Sequence, residues 1–405
     1  MISVAEARQR ITSALRPLAA EQVALSEAHG RVLAEDVISR VTQPPQAVSA
    51  MDGYAVRAAD VSDVPATLSV VGSAPAGSAY AGAVGPGQAV RIFTGAPLPE
   101  GSDTIVIQEN TTRPDEGTVT VEESAALGTY VRPAGLDFAA GDVLLPAGRI
   151  LGARDVGLAA AMNVPWLMVR RRPRVAILST GDEVVMPGDP IGPDQIVSSN
   201  GLALASAVRA FGGAPALLGI APDDSRALQT MAAGAKGADM LVTTGGASVG
   251  DHDLIKDALG ESGLKLDFFK IAMRPGKPLI FGDFNGTPML GLPGNPVSSL
   301  VCAIMFLQPA MAVLLGFDGS AVPLRGARLG GPLPANDRRE DYMRARLAHD
   351  RDGTLVATPF EVQDSSMMAT LTAADCLIVR PPHAPAAAPG ERVDVLPLER
   401  GICAI

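Results

Sequence analysis

Three segments combine glycines with hydroxyl and acidic side chains in a way that suits anion binding. They are Ser179-Thr180-Gly181-Asp182-Glu183, the run Thr243-Thr244-Gly245-Gly246-Ala247-Ser248-Val249-Gly250-Asp251-His252-Asp253, and Gly291-Leu292-Pro293-Gly294-Asn295-Pro296-Val297-Ser298-Ser299. Glycine lets the backbone approach a ligand and turn its N–H groups toward an anion. Pro296 suits the first position of a helix, which places Ser298 and Ser299 in a first turn whose N–H groups are still free. One such turn is commonplace in an α/β protein, but three ending strands of one sheet favour a phosphorylated ligand. The pattern GxxxxGK[ST] is absent, which excludes a P-loop ATPase. Acids gather at the same places: Asp182, Glu183, Asp223, Asp224, Asp251 and Asp253. Helix capping accounts for Asp223 and Asp251 and accounts less well for Glu183 and Asp253. Carboxylates beside an anion site repel the ligand unless a cation lies between them, and Mg²⁺ held by one or two carboxylates plus phosphate oxygens is the usual arrangement. Lys270, Arg274 and Lys277 end another strand. They read either as a solvated strand end or, beside these turns, as phosphate contacts.

The elements that must carry these turns follow from periodicity. From Arg174, apolar runs such as RVAILST, APALLGIA and DMLVTTGG alternate with helical segments such as NGLALASAVRAFGG and DDSRALQTMAAGAKG. Strands apolar throughout, alternating with helices, predict a doubly wound parallel sheet covered on both faces, with ligands at the carboxyl ends of its strands. That α/β domain spans 173–321. Residues 1–40 open with a helix (Val4, Ala7, Ile11, Ala14 and Leu15 at helical spacing), and 141–172 return to similar mixed character, so the two form one discontinuous N-terminal domain. Residues 41–140, rich in Gly, Pro, Thr and Val with short alternating runs, form a small β domain inserted into it. Residues 322–405 read as a C-terminal β domain.

Composition bounds the function. Over 405 residues, 47% are hydrophobic and 19% charged, a globular balance. The formal charge of −10, from 33 basic and 43 acidic residues, disfavours a nucleic-acid or membrane-surface binder. With 4% aromatics and one Trp, base stacking is no basis for function. Cys302, Cys376 and Cys403 make no CxxC pair, which fits a reducing cytoplasm, and the start MISVAEARQRI lacks the apolar core of a signal peptide. Val297 to Leu315 is long and apolar, but Ser298, Ser299, Gln308 and Pro309 favour a helix buried against a sheet or in a subunit contact over a membrane span. The β unit contributes Ser49-Ala50-Met51-Asp52-Gly53-Tyr54-Ala55, Phe93-Thr94-Gly95-Ala96-Pro97 and Arg132 to Phe138. Spacing alone does not bring these to the α/β site.

Taken in order, SAMDGYA, RIFTGAP, STGDE, TTGGASVGDHD, KIAMRPGKP and GLPGNPVSS resemble the molybdopterin molybdenumtransferases, a family similar to the C-terminal domain of gephyrin. The resemblance covers nearly the whole chain. It implies a multidomain α/β plus β fold: a molybdopterin-binding doubly wound domain, an inserted β domain, a discontinuous α+β domain and a C-terminal barrel-like domain. It also implies a Mg²⁺-assisted transferase that inserts molybdenum from molybdate into adenylylated molybdopterin and releases AMP. The site of this homodimer would be shared between the α/β domain of one subunit and the β unit of the other. Carried over residue by residue, it implies Asp52, Thr94, Arg132 and Asp137 on the β side. On the α/β side it implies Glu183, Asp223, Asp253, Lys270, Arg274, Lys277, Pro293 and Pro296, with Ser366 from the C-terminal domain. Thr180, Gly181, Gly245, Gly246, Ser248, Gly294 and Asn295 join the substrate set from the glycine turns, and Glu183 and Asp253 are the expected metal ligands. The implied partners are the adenylyltransferase that makes the substrate and the apo-molybdoenzymes that receive the product. Three positions depart from the family: Leu136 stands where a Glu is usual, Arg274 where many members have Lys, and Ala247 where Val is frequent. Arg keeps the charge but changes its geometry. The competing readings are an ATP-dependent molybdopterin adenylyltransferase, against which the extra domains argue, and a gephyrin-like scaffold, which would not need the acids.

Overall fold

The computed structural model describes residues 1–246, 254–319 and 323–398. The chain forms two compact units, one made of Met1–Gln22, Gly30–Ala34 and Met168–Ile405, the other of Val23–His29 and Glu35–Leu167.

The first unit is built on a six-stranded sheet. Its strands lie in the order Ala214–Ala221, Arg174–Thr180, Met240–Thr244, Thr287–Leu292, Pro278–Phe284 and Leu264–Lys270. Side chains alternate across a strand, and here both faces are apolar. Val175, Ile177, Val242 and Leu290 enter one core, while Ala176, Leu178, Leu241 and Met289 enter the other. That two-sided burial is why the strands read as continuous apolar runs. The sheet is not wholly parallel, as the alternation predicted. Pro278–Phe284 runs antiparallel to both neighbours. It is joined to the next strand by Asn285 (φ 53°) and Gly286 (φ 86°), the Asn-Gly pair that a tight hairpin turn demands.

Helix α1 (Val4–Ser13) starts at Ser3, whose hydroxyl accepts from the Glu6 N–H at 3.1 Å, and it buries Val4, Ala7 and Ile11. Helices α3 (Asn200–Ala210), α4 (Ser225–Ala232) and α5 (Leu254–Glu261) complete the layers; α2 (Ala153–Ala161) belongs to the second unit. After Pro296 the chain runs as one long helix: α6 (Pro296–Cys302), a π turn over Ala303–Leu307, and α7 (Gln308–Leu314). The wide turn precedes Pro309, whose ring would otherwise clash with the carbonyl four residues earlier. Among the described residues this is the one helix long and apolar enough to cross a membrane, and 78% of its apolar window is buried inside the fold. It is a core helix.

Five strands close the C-terminal barrel. Glu340–His349 pairs with Leu355–Pro359 and Cys376–Arg380, Arg392–Pro397 pairs with Cys376–Arg380 and Arg325–Leu329, and Arg325–Leu329 returns to Leu355–Pro359. The short strand Met273–Arg274 joins the barrel beside Glu340 and Asp341.

The second unit holds another six-stranded sheet, ordered Thr104–Ile107, Gly53–Val56, Gln88–Ile92, Ala66–Ala74, Thr118–Val121 and Thr111–Thr112. Its alternating strands bury Tyr54, Val56, Leu68 and Val119 on one side and Ala55, Val90, Ile92 and Ile105 on the other.

Candidate active site

At the carboxyl ends of the central strands of the first unit lies a cavity of about 690 Å³. Thr180, Glu183, Gly245, Pro293, Gly294, Asn295, Pro296 and Ser366 line it, so the three glycine turns and the Ser366 loop converge on one space. Gly245 (φ 91°) and Gly246 (φ 63°) need to be glycine. A Cβ on Gly245 would sit 2.3 Å from the Thr180 carbonyl oxygen, and one on Gly246 would sit 2.7 Å from Thr180 Oγ1. The Thr180 hydroxyl is buried there without a hydrogen-bond partner. Gly181 has φ 134°, and the Glu183 carboxylate folds back over it: a Cβ at Gly181 would lie 2.5 Å from Oε2.

The acids divide into two roles. Asp224, not Asp223, caps α4, accepting from the Ala227 N–H at 2.7 Å. The capping account of Asp223 therefore fails, because its carboxylate sits one residue too early to reach the free amides of the first turn. Instead the Asp223 N–H donates to Asp182 Oδ1 at 2.9 Å. Burial, then the neighbouring Asp182 and Glu183 carboxylates, push the Asp223 carboxyl above its ordinary range, offset in part by the Asp182 backbone N–H, which donates to it. Ser248 and Asp253, with Asp251 and His252, lie outside the described residues. Among the described residues no cluster of three or more His, Cys, Asp or Glu side chains is set up to hold a metal by itself.

Helix α6 opens toward the cavity. Asn295 precedes it without a side-chain cap bond, Pro296 takes the first position, and Ser298 and Ser299 are buried in the first turn. The barrel holds this start in place: Asn295 Nδ2 donates to Ser365 Oγ at 2.7 Å, and the Val297 N–H donates to the Ser365 carbonyl at 3.1 Å. Ser366 is fixed by Asp364, which accepts from its N–H at 2.8 Å and from its hydroxyl at 2.6 Å.

None of the three cations Lys270, Arg274 and Lys277 lines the cavity. Lys270 Nζ lies over the Phe269 ring, 5.0 Å from its centre. Arg274 is committed to the barrel, pairing with Asp341 and donating to Asn336 at 3.2 Å, with Asp337 at 3.8 Å. Lys277 is half-buried, and its carbonyl accepts from the Ile271 N–H at 3.1 Å. No thiol is set up as a nucleophile among the described residues. Cys302 and Cys376 are buried, and burial pushes the first far up and the second to about 12.

In the second unit the structure joins Asp52 to Thr94: the carboxylate accepts from the Thr94 N–H and from its hydroxyl, each at 2.7 Å. These bonds hold the Asp52 carboxyl below the usual range. Arg132 is exposed on a short strand paired with Val48–Ser49, and Asp137 is exposed with its N–H donating to the Gln43 carbonyl at 3.0 Å. The two form no ion pair with each other. Sequence reading missed Arg91 and Asn200. Arg91 is sandwiched between the Tyr54 and Phe93 rings at 5.1 and 5.0 Å, and it adds positive potential at Asp52. Phe93, two residues on, was the available signal; Tyr54 is brought beside Arg91 only by the strand pairing. Asn200 lines the cavity wall, but an Asn at a helix start reads only as a cap.

Three family models match the chain: the MoeA N-terminal region (domain I and II) over residues 2–163, the "Probable molybdopterin binding domain" over 176–313, and the MoeA C-terminal region (domain IV) over 326–398. A molybdopterin molybdenumtransferase of Nostoc sp. is 42% identical over 342 residues, covering 82% of this chain and 78% of its own. Molybdopterin molybdenumtransferase 2 of Mycobacterium tuberculosis is 38% identical over 369 residues, covering 88% and 90%. The crystal structure of a molybdopterin biosynthesis MoeA protein from Pyrococcus horikosii superposes with a TM-score of 0.86 at 31% identity, covering 99% of this chain and 100% of its own. With all parts of the chain matched in order and relatives above 30% identity along most of their length, this transferase belongs to the molybdopterin molybdenumtransferase family.

Proposed function

We propose that the protein inserts molybdenum from molybdate into adenylylated molybdopterin and releases AMP, as a Mg²⁺-dependent cytoplasmic homodimer. The observation that carries this reading is the convergence of the Gly245 turn, the open start of α6 and the Glu183 carboxylate on one cavity. With Pro296 lacking an N–H and the Val297 and Ser299 amides already donating to Ser365 and Asn295, the Ser298 N–H takes a phosphate oxygen of the diphosphate bridge, aided by the positive end of the helix. Glu183 orients a water toward the AMP phosphorus; the bridging P–O bond breaks, AMP leaves with the water's oxygen and the pterin keeps its phosphate. The two dithiolene thiols give their protons to one molybdate oxygen, which leaves as water as the two Mo–S bonds form. Arg132, Lys270 and Lys277 serve the anionic groups of pterin and molybdate, Arg274 braces the barrel through Asp341, and Asp52, Thr94 and Asp137 are contributed by the partner subunit's β unit.

Among the described residues no cluster of three ligands holds a metal by itself, so Mg²⁺ would depend on the substrate's phosphate oxygens beside the Glu183 carboxylate; burial, then the Asp182 and Glu183 charges, raises the Asp223 carboxyl, and a divalent cation would relieve the charge part. Glu183 would hold it, together with Asp253. Mg²⁺ bound there supplies neutralisation of the diphosphate charge.

Incubation with adenylylated molybdopterin, Mg²⁺ and molybdate, with AMP and finished cofactor measured together, tests the reading. Glu183→Ala is expected to abolish AMP release while the far-ultraviolet circular dichroism stays that of the wild type. Release near the wild-type rate in that variant removes Glu183 from the chemistry. Adenylylation of molybdopterin by ATP would instead identify the preceding step.

A further inference from the structure

Asn200 is the first residue of α3, yet neither it nor Ser199 before it caps that helix through a side chain. Its amide is used elsewhere. Nδ2 donates to the Gly294 carbonyl at 2.7 Å and to Thr244 Oγ1 at 3.0 Å. Thr244 is 3% exposed, and its hydroxyl extends the connection, donating to the Pro293 carbonyl at 3.2 Å and lying 3.4 Å from Ser299 Oγ. One amide group therefore ties together three edges of the cavity: the wall that ends at Ser199, the strand end that leads into Gly245, and the turn that leads into α6.

A terminal amide has two N–H hydrogens, and two acceptors on different loops take them. Thr244 is buried and Gly294 is exposed, so loss of the amide leaves the Thr244 oxygen without its donor and frees the Gly294 carbonyl to turn toward water; the spacing between the Gly245 turn and the start of α6 therefore depends on this one side chain. We infer that Asn200 is a positioning residue that sets the gap between these two anion-binding edges, and with it the affinity of the cavity for a nucleotide phosphate. The inference rests on the nucleotide reading above for its ligand, but not for its geometry.

The test uses the full-length protein, with AMP as the probe. Asn200→Asp keeps the size but replaces the donor by an oxygen facing the Gly294 carbonyl, and Asn200→Ala serves where the Asp variant does not fold. Expected are AMP binding weaker by about tenfold, the size of the donor lost to the buried Thr244 oxygen, and faster amide hydrogen exchange over residues 243–246 and 297–299. Exchange in the barrel strands should be unchanged. Thr244→Val should weaken AMP binding in the same direction, and the double variant should be no weaker than the worse single one, because both break one connection. Additive losses, or AMP affinity in Asn200→Asp within about twofold of a wild type that binds AMP, overturn the inference. If the wild type binds no AMP, the nucleotide reading falls, and the exchange measurement alone decides whether Asn200 holds the two edges: unchanged exchange refutes it.

Discussion

Replacing Gly245 by alanine separates a backbone requirement from ordinary tolerance. The added Cβ would lie 2.3 Å from the Thr180 carbonyl oxygen, a backbone atom of a central strand that cannot swing aside, in a residue at φ 91°. Gly286 is the control: it has a similar φ of 86°, but nothing lies within 4 Å of a Cβ there. Gly286→Ala should cost only the left-handed conformation, about 1–2 kcal/mol. Gly245→Ala adds the forced displacement of packed backbone, about 1–3 kcal/mol more. In a unit of this size that difference is roughly 2–12 °C in melting temperature. Differential scanning calorimetry of both variants reads the difference directly, and AMP release provides the second measure. Gly245→Ala should lose release because the Gly245 turn lines the cavity, whereas Gly286→Ala should keep it. Equal melting temperatures for the two variants would refute the claim that close approach to Thr180, rather than φ alone, fixes glycine at 245.

The two adjacent acids near α4 should respond oppositely. Asp224→Ala removes a cap and should cost about 1 kcal/mol. Asp223→Asn should stabilise near neutral pH, because the folded protein holds that carboxyl above its unfolded value. The stability tied to it is present below the usual Asp range and is lost as pH rises through the raised value, so the gain of the Asn variant should vanish in acid. Urea titrations at pH 7 and pH 3 check both signs. Thiol reagents should leave Cys302 and Cys376 unlabelled in the native protein, since burial raises both thiols. Peptide mapping after brief alkylation decides this, and rapid labelling of either residue would contradict it.

Where burial is two-sided the sequence was explicit: RVAILST and DMLVTTGG read as inner strands because both of their faces meet helices. Pro296 likewise marked a helix start through local chemistry alone. The antiparallel strand was missed although Asn285-Gly286 announces a hairpin, because the α/β rhythm on either side suggested a crossover. The candidate site was legible where it is made of contiguous motifs. It was not legible where a side chain reaches across the fold. Nothing near Arg274 in sequence shows that Asp341 engages it, and nothing near Asn200 shows that Gly294 and Thr244 are within its reach. Asp223 and Asp224 differ only in which one meets the free amides of α4, a matter of one residue of register.

The pairing of Met273–Arg274 with Glu340 and Asp341, together with Ser365 on Asn295 and Val297, makes the C-terminal barrel part of the catalytic half's architecture rather than an appendage. Exchanging that barrel between family members would carry compatible seams only if residues 271–276 and 360–367 travelled with it. A chimera cut at 323 alone would pair a foreign barrel edge with the Arg274 segment and leave α6 without its matched brace. Recombination between relatives should therefore succeed at breakpoints that respect these stitches and fail at the one that connectivity by itself suggests.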